Sequence, residues 1–265
     1  LAASLALRTA GNPLFAVQLV GDWVSRGVLE AGPDGVRLRD DGAPSLPDNI
    51  HAVWQSRVDR LLEPFGDDNA WALELAATLG AKVDRDEWDA VCARCQRRQD
   101  RRLLDRMLVQ RLAIIESDGN GWTFAHPMLR ESLIRRAREH GRLIDHNRAC
   151  ASMLELRGAG QLGISERVAF HLLAAGDDRD VPPYLLQAAQ ERAVGGDLRD
   201  SLRLLDDRQR AMDRAGTPAS DAARAAGWPT RLRVLRRQGR VEDAESWTRL
   251  ALDTADKQNW PTARA

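Results

Sequence analysis

The sequence predicts a mainly α-helical protein carrying small β-hairpins. Apolar residues recur with a helical period through most of its 265 residues. One strong hairpin turn, Asp118-Gly119-Asn120-Gly121, separates two strand-like runs, "LAIIES" and "WTFAH". In the last part of the chain two stretches align, "GGDLRDSLRLLDDRQRAM" from Gly195 and "QGRVEDAESWTRLALDTA" from Gln238. In each, a glycine (Gly196, Gly239) precedes by five residues a small residue (Ser201, Ala244) that lets helices approach closely. Their spacing of 43 residues exceeds the tetratricopeptide norm of about 34 but suits helix-pair solenoids. An uncapped last repeat would expose its apolar face, so further repeats are expected beyond residue 265.

The elements follow in order. From Pro13 to Arg26 a stripe of Ala16, Leu19, Val20, Trp23 and Val24 predicts a core-facing helix, ended by Gly27. Val28 to Asp40 reads as two brief strands about a Pro-Asp-Gly turn. The linker "GAPSLPDNI", with two prolines, marks a boundary. Ile50, Val53, Trp54, Val58 and Leu61 form one helical stripe, and Trp71, Leu75, Ala76 and Leu79 form the next, closed by Gly80. Trp88 to Cys92 and Leu103 to Leu112 form two more, and then comes the hairpin. Helices followed by a β-hairpin is the layout of a winged-helix domain. Met128 to Ala137 and about Leu143 to Leu156 are again helical. Three parts are expected: residues 1–47, residues 48–140 as the winged helix, and residues 141–265 as a helical linker with tetratricopeptide-like helix pairs.

Composition narrows the function. The 39 basic and 39 acidic residues balance, so no overall charge favours nucleic acid or an anionic membrane. Of the basic residues only Lys82 and Lys257 are lysines. No segment reaches the roughly 18 apolar residues of a membrane helix, and "LAASLALRTAGNP", which lacks a charged leader and a proper apolar core, is not expected to act as a signal peptide. The first residue is not Met, so a longer parent is expected. Three cysteines argue against a disulfide framework and for a reducing, cytoplasmic setting.

Few residue groupings point to chemistry. Cys92-Ala93-Arg94-Cys95 has the spacing of a zinc half-site, but no second Cys or His pair accompanies it and the stretch reads as mid-helix. "CARCQRRQDRRLLDRMLVQR" is rich in arginine, yet Asp100 and Asp105 interrupt it, as on a solvated surface rather than a DNA-reading helix. His140 and His146 read as lying on polar helical faces, His171 faces a helix core or the next repeat, and His51 opens a helix. No Ser-His-Asp or paired-carboxylate arrangement can be assembled. The phosphate loop G-x-x-x-x-G-K-[ST] is absent, so these residues are not by themselves a P-loop ATPase, and no catalytic or metal-ligating residue is expected. His126 is the exception. It stands where a strand meets a helix whose first position suits Pro127. Free backbone N–H groups and the positive end of the helix dipole would favour a phosphate there, which an imidazole can also hydrogen-bond.

Five segments in fixed order carry a resemblance: "RTAGNPLFAVQLVGDWVSRGVL", "LPDNIHAVWQSRVDRLLEP", "ALELAATLGAKVDRDEWDAVC", "WTFAHPMLRESLIRRA" and "ISERVAFHLLAAGD". Together they resemble the signal-transduction ATPases with numerous domains (STAND), especially the bacterial type found in large LuxR-like regulators and adenylate cyclase-associated ATPases. The resemblance runs from about residue 8 to residue 176, with a looser helical-repeat tail. It implies that residues 1–47 belong to the lid of an AAA-type ATPase whose P-loop core precedes them. The winged helix would then hold bound ADP, and the repeats would receive a protein or small-molecule signal, with oligomerisation possible on activation. Two family positions carry over as nucleotide contacts. Gly11-Asn12-Pro13 matches a G-x-P motif, whose proline packs on adenine. His126 matches the histidine that contacts the β-phosphate, although the family's Met-His-Asp form is here Ala125-His126-Pro127. The cofactor implied is ADP or ATP, with Mg²⁺ bound in the parent. Two other functions fit the same elements: a DNA-binding winged-helix regulator with a helical sensor tail, and a nucleotide-free protein–protein scaffold.

Overall fold

A computed structural model describes residues 5, 9, 13–25, 27–32, 35–38, 50–158 and 160–260. The protein is mainly helical, with twelve α-helices among the described residues. No helix among them is long and apolar enough to cross a membrane. The chain forms two compact units, Leu1–Gly141 and Arg142–Ala265. The parts expected over 1–47 and 48–140 both fall in the first unit.

The first unit opens with α1 (Pro13–Ser25), then an antiparallel pair, β1 (Leu29–Gly32) and β2 (Gly35–Leu38), with Leu29 opposite Leu38. The Pro33-Asp34 turn expected between them lies outside the described residues. On α1 the buried stripe is Phe15, Leu19 and Trp23, which pack with Val53. The apolar face is thus rotated from the expected one: Val24 is exposed and the carboxylate of Asp22 is buried. A fully buried residue of the size of Leu19 contributes about 2 kcal/mol, and Asp22 is tolerated because Arg60 pairs with it.

Four helices follow: α2 (Ile50–Leu62), α3 (Asp67–Leu79), α4 (Arg85–Arg94) and α5 (Arg101–Val109). α3 is buried along most of its length, with the polar Asn69, Glu74 and Thr78 among its buried residues. Asp84 caps α4 by accepting the Glu87 N–H, and Asp100 caps α5 by accepting the Arg102 N–H. The turn Asp118–Gly121 joins β4 (Ala113–Ile115) to β5 (Gly121–Phe124), with Asp118 accepting the Asn120 N–H and Gly119 at positive φ.

A further strand, β3 (Lys82–Asp84), pairs with the other edge of β5, giving the antiparallel order β3-β5-β4. It was not expected, since three residues are too few to show alternation. Gly121 permits the pairing, because a Cβ there would come within 2.7 Å of the Val83 carbonyl oxygen. Trp122, on the central strand, is fully buried and meets Trp88 and Phe124 edge-on at 5.3 and 4.8 Å between centroids. Helix α6 (Pro127–Glu139) completes the unit by packing on α2 and α3. Its Arg136 bonds to the fully buried Glu74 at 3.1 Å and to Asp59 at 3.2 Å, tying three helices together.

The second unit is wholly helical among its described residues: α7 (Leu143–Arg157), α8 (Ile164–Ala175), α9 (Val181–Val194), α10 (Leu198–Arg214), a 3₁₀ turn (Ala222–Gly227), α11 (Trp228–Arg237) and α12 (Val241–Gln258). The aligned stretches adopt the same geometry. Gly196 and Gly239 both have positive φ, which closes α9 and α11 with the same bonds: Asp197 N–H to Arg192 carbonyl, and Arg240 N–H to Leu235 carbonyl. Ser201 and Ala244 are buried, and the Ser201 hydroxyl donates to the Ala189 carbonyl at 2.7 Å. The two aligned stretches therefore share the same turn and the start of the helix that follows it. His146, expected on a polar face, is instead fully buried on α7. Beside it, Asn147 meets Nδ1 of the buried His171 at 2.9 Å. Two polar side chains satisfying each other can sit inward, which a hydropathy period does not register.

Candidate functional site

His126 sits where β5 hands over to α6, with extended backbone (φ −141°, ψ 129°) and Pro127 as the first helical residue. Its Nδ1 accepts the Met128 N–H at 3.2 Å, and its carbonyl accepts the Leu129 N–H at 3.1 Å. Pro127 has no N–H to offer. The free donors expected at this helix end are therefore not available at its first three positions. The imidazole itself consumes one of them, and the terminus is capped from within.

That cap determines the ring's chemistry. A nitrogen that accepts a hydrogen bond carries no proton, so the neutral ring holds its proton on Nε2 and presents a donor there. The ring stacks on Trp54 of α2, with centroids 4.7 Å apart and planes 28° apart. The guanidinium of Arg57, one helical turn on, lies over the Trp54 ring at 4.7 Å from its centroid. Arg57 also donates to the Gln18 side-chain oxygen and carbonyl on α1, at 3.0 and 3.1 Å. His126 thus joins a cluster built from α1, α2 and the β5–α6 junction. Trp54 and Arg57 were not singled out as site residues in the sequence. Their three-residue spacing on one helical face was the available signal, but their pairing with His126 spans some seventy positions.

Burial first, and the nearby Arg57 charge second, hold the His126 pKa below its ordinary value of 6.5, against the opposing pull of Glu131. The unfolded chain therefore takes up this proton before the folded one as pH falls. The stability His126 contributes is complete above about pH 6.5 and declines as pH drops through 6.5 toward the depressed folded value. His126→Asn retains a capping oxygen without a titrating ring. Its urea midpoint should fall less between about pH 7.5 and about pH 5.5 than that of the parent chain. Equal declines in the two proteins would remove the coupling.

The other expected residues are placed as follows. Pro13 opens α1 and is exposed; no hydrogen bond or ring contact joins it to His126 among the described residues. Gly11 lies outside the described residues. Gln18 with Arg57 and Asp22 with Arg60 put α1 and α2 side by side in the same direction, so Pro13 belongs to the end of α1 nearer Trp54 than Arg60. Cys92 is buried, and burial pushes its thiol up to about 12, the reverse of a reactive thiolate. Cys95 is not mid-helix as expected but caps the end of α4. In the arginine-rich segment, Arg97 pairs with Asp68 and lies over Trp71, while Arg102 forks onto Asp100. Among the described residues no group of His, Cys, Asp and Glu side chains is arranged to hold a metal ion.

No protein-family model, curated protein or solved structure matches this chain.

Proposed function

We propose that the chain is the regulatory portion of a STAND-type nucleotide switch. Residues 1–47 belong to its lid, residues 48–140 form a winged-helix latch, and residues 141–265 form tetratricopeptide-like repeats that receive a protein or small-molecule signal. The P-loop core, with its phosphate loop and Mg²⁺ ligands, precedes these residues in the parent, which acts in the cytoplasm. The order of the five quoted segments supports this assignment, and one geometric observation carries it. His126 has Nδ1 committed to its own helix, so Nε2–H is left as a donor, and Arg57 adds positive potential beside it. A donor on a fixed ring, near a guanidinium, suits the terminal phosphate of ADP. A signal bound by the repeats then opens the switch only to the extent that it prefers the ADP-free arrangement.

The test uses a protein in which this chain follows a STAND P-loop core, with release of a fluorescent ADP analogue followed by stopped flow. His126→Asn keeps the helix cap but removes the ring donor, and should speed ADP release about tenfold, the scale of one hydrogen bond to a charged group. An unchanged release rate would eliminate the latch.

A further inference from the structure

A cleft of about 560 Å³ opens in the first unit between α1, α2 and the end of α5, with Gly21, Arg57, Arg60, Glu63 and Arg106 on its walls. Its arginines differ in their partners. Arg60 is neutralised by the buried Asp22. Among the described residues Arg57 donates to the uncharged Gln18. Arg106 donates to the Arg60 carbonyl at 3.4 Å, and its buried Nε–H has no acceptor. Among the described residues neither Arg57 nor Arg106 makes an ion pair. Glu63, on the same wall, is exposed to water.

Half-buried guanidinium groups ordinarily have a carboxylate or other anion against them, because a charge withdrawn from water without a counter-charge is costly. Here three guanidinium groups, Arg57, Arg60 and Arg106, line one solvent-reachable cleft against one wall carboxylate, Glu63, and the Asp22 carboxylate bonded to Arg60, which leaves positive charge in excess. Burial disfavours the charged state of Arg57, the nearby Asp22 carboxylate favours it, and Arg60 adds repulsion. Gly21 keeps space for the arrangement: a Cβ at that position would press to 3.1 Å of an Arg57 terminal nitrogen.

We propose that this cleft is a binding site for a phosphate-type dianion, held by Arg57 and Arg106. Two guanidinium forks supply the paired donors and the two positive charges that a phosphate dianion presents acceptors for. The site draws on α1, α2 and α5 and does not require Nε2 of His126, so it goes beyond the nucleotide latch. Free phosphate and the end group of a larger phosphorylated molecule share this chemistry.

Calorimetry on the 265-residue chain, with inorganic phosphate, pyrophosphate and ADP in separate arms at low salt, tests the site and distinguishes these sources. At least one phosphate species should bind, and more weakly as sodium chloride is added. Arg106→Gln should weaken that binding about tenfold, as should Arg57→Gln. Arg94→Gln, outside the cleft, should leave it unchanged. Arg106→Gln leaves the Gln18–Arg57 bridge in place, so an unchanged melting temperature separates lost binding from lost folding. No binding of any of the three, or equal binding by Arg106→Gln and the parent chain, would overturn the site. Because His126→Asn should not alter phosphate binding here, failure of the latch and failure of this site are read separately.

Discussion

Trp122→Ala is expected to cost the first unit about 3–5 kcal/mol, the range for emptying a large aromatic site in a packed core. The indole is fully buried on the middle strand of β3-β5-β4 and lies edge-on to Trp88 and Phe124. The backbone around it cannot close in, because Val83 opposite it in β3 is held by the strand pairing and by the close approach at Gly121. In thermal denaturation followed by far-UV circular dichroism, the transition of this unit should fall by about 10 °C or more. A shift of a degree or two would mean that the sheet is not part of the core. Trp122→Phe, which keeps an apolar ring, should lose substantially less.

Arg136→Met is the second large effect. It removes the cation that bonds to the fully buried Glu74 on α3 and to Asp59 on α2. Breaking a buried ion pair from one side costs about 3 kcal/mol at the lower end, because the remaining charge keeps its desolvation penalty. The Asp59 contact adds little, since that carboxylate is half exposed. Adding Glu74→Met to Arg136→Met should restore part of the loss, and a double-mutant cycle in urea measures the coupling. Strict additivity of the two single changes would show that the pair is not coupled.

Much of the fold was legible because helices and tight turns are local. The period of Leu19 and Trp23, the glycine stops at Gly27 and Gly80, and the Asp-Gly-Asn-Gly turn each depend on residues a few positions apart. The join at His126-Pro127 was legible for the same reason, since proline suits a first helical position and the residue before it is held extended. The match between Gly196 and Gly239 was also visible, and it returned as the same positive-φ turn with the same closing bond.

What periodicity missed came from pairings between distant residues. β3 has no pattern of its own and exists because β5 offers it an edge. Asp22 and His146 are polar by composition and were not assigned to the core. They are buried because Arg60 pairs with the one and helical packing encloses the other. A single helix shows which residues share a face, but not which face will find a partner.

By itself the amino-acid sequence determined the helical class, the hairpin turn, the junction at His126 and the matching turns at Gly196 and Gly239, all of which rest on short-range backbone preferences. Only the tertiary structure decided that His126 stacks on Trp54, that its Nδ1 is spent on Met128, and that Arg57, Arg60 and Arg106 line one cleft. Side-chain chemistry is encoded residue by residue, whereas the charge state and free donors of a site depend on neighbours that folding alone brings near.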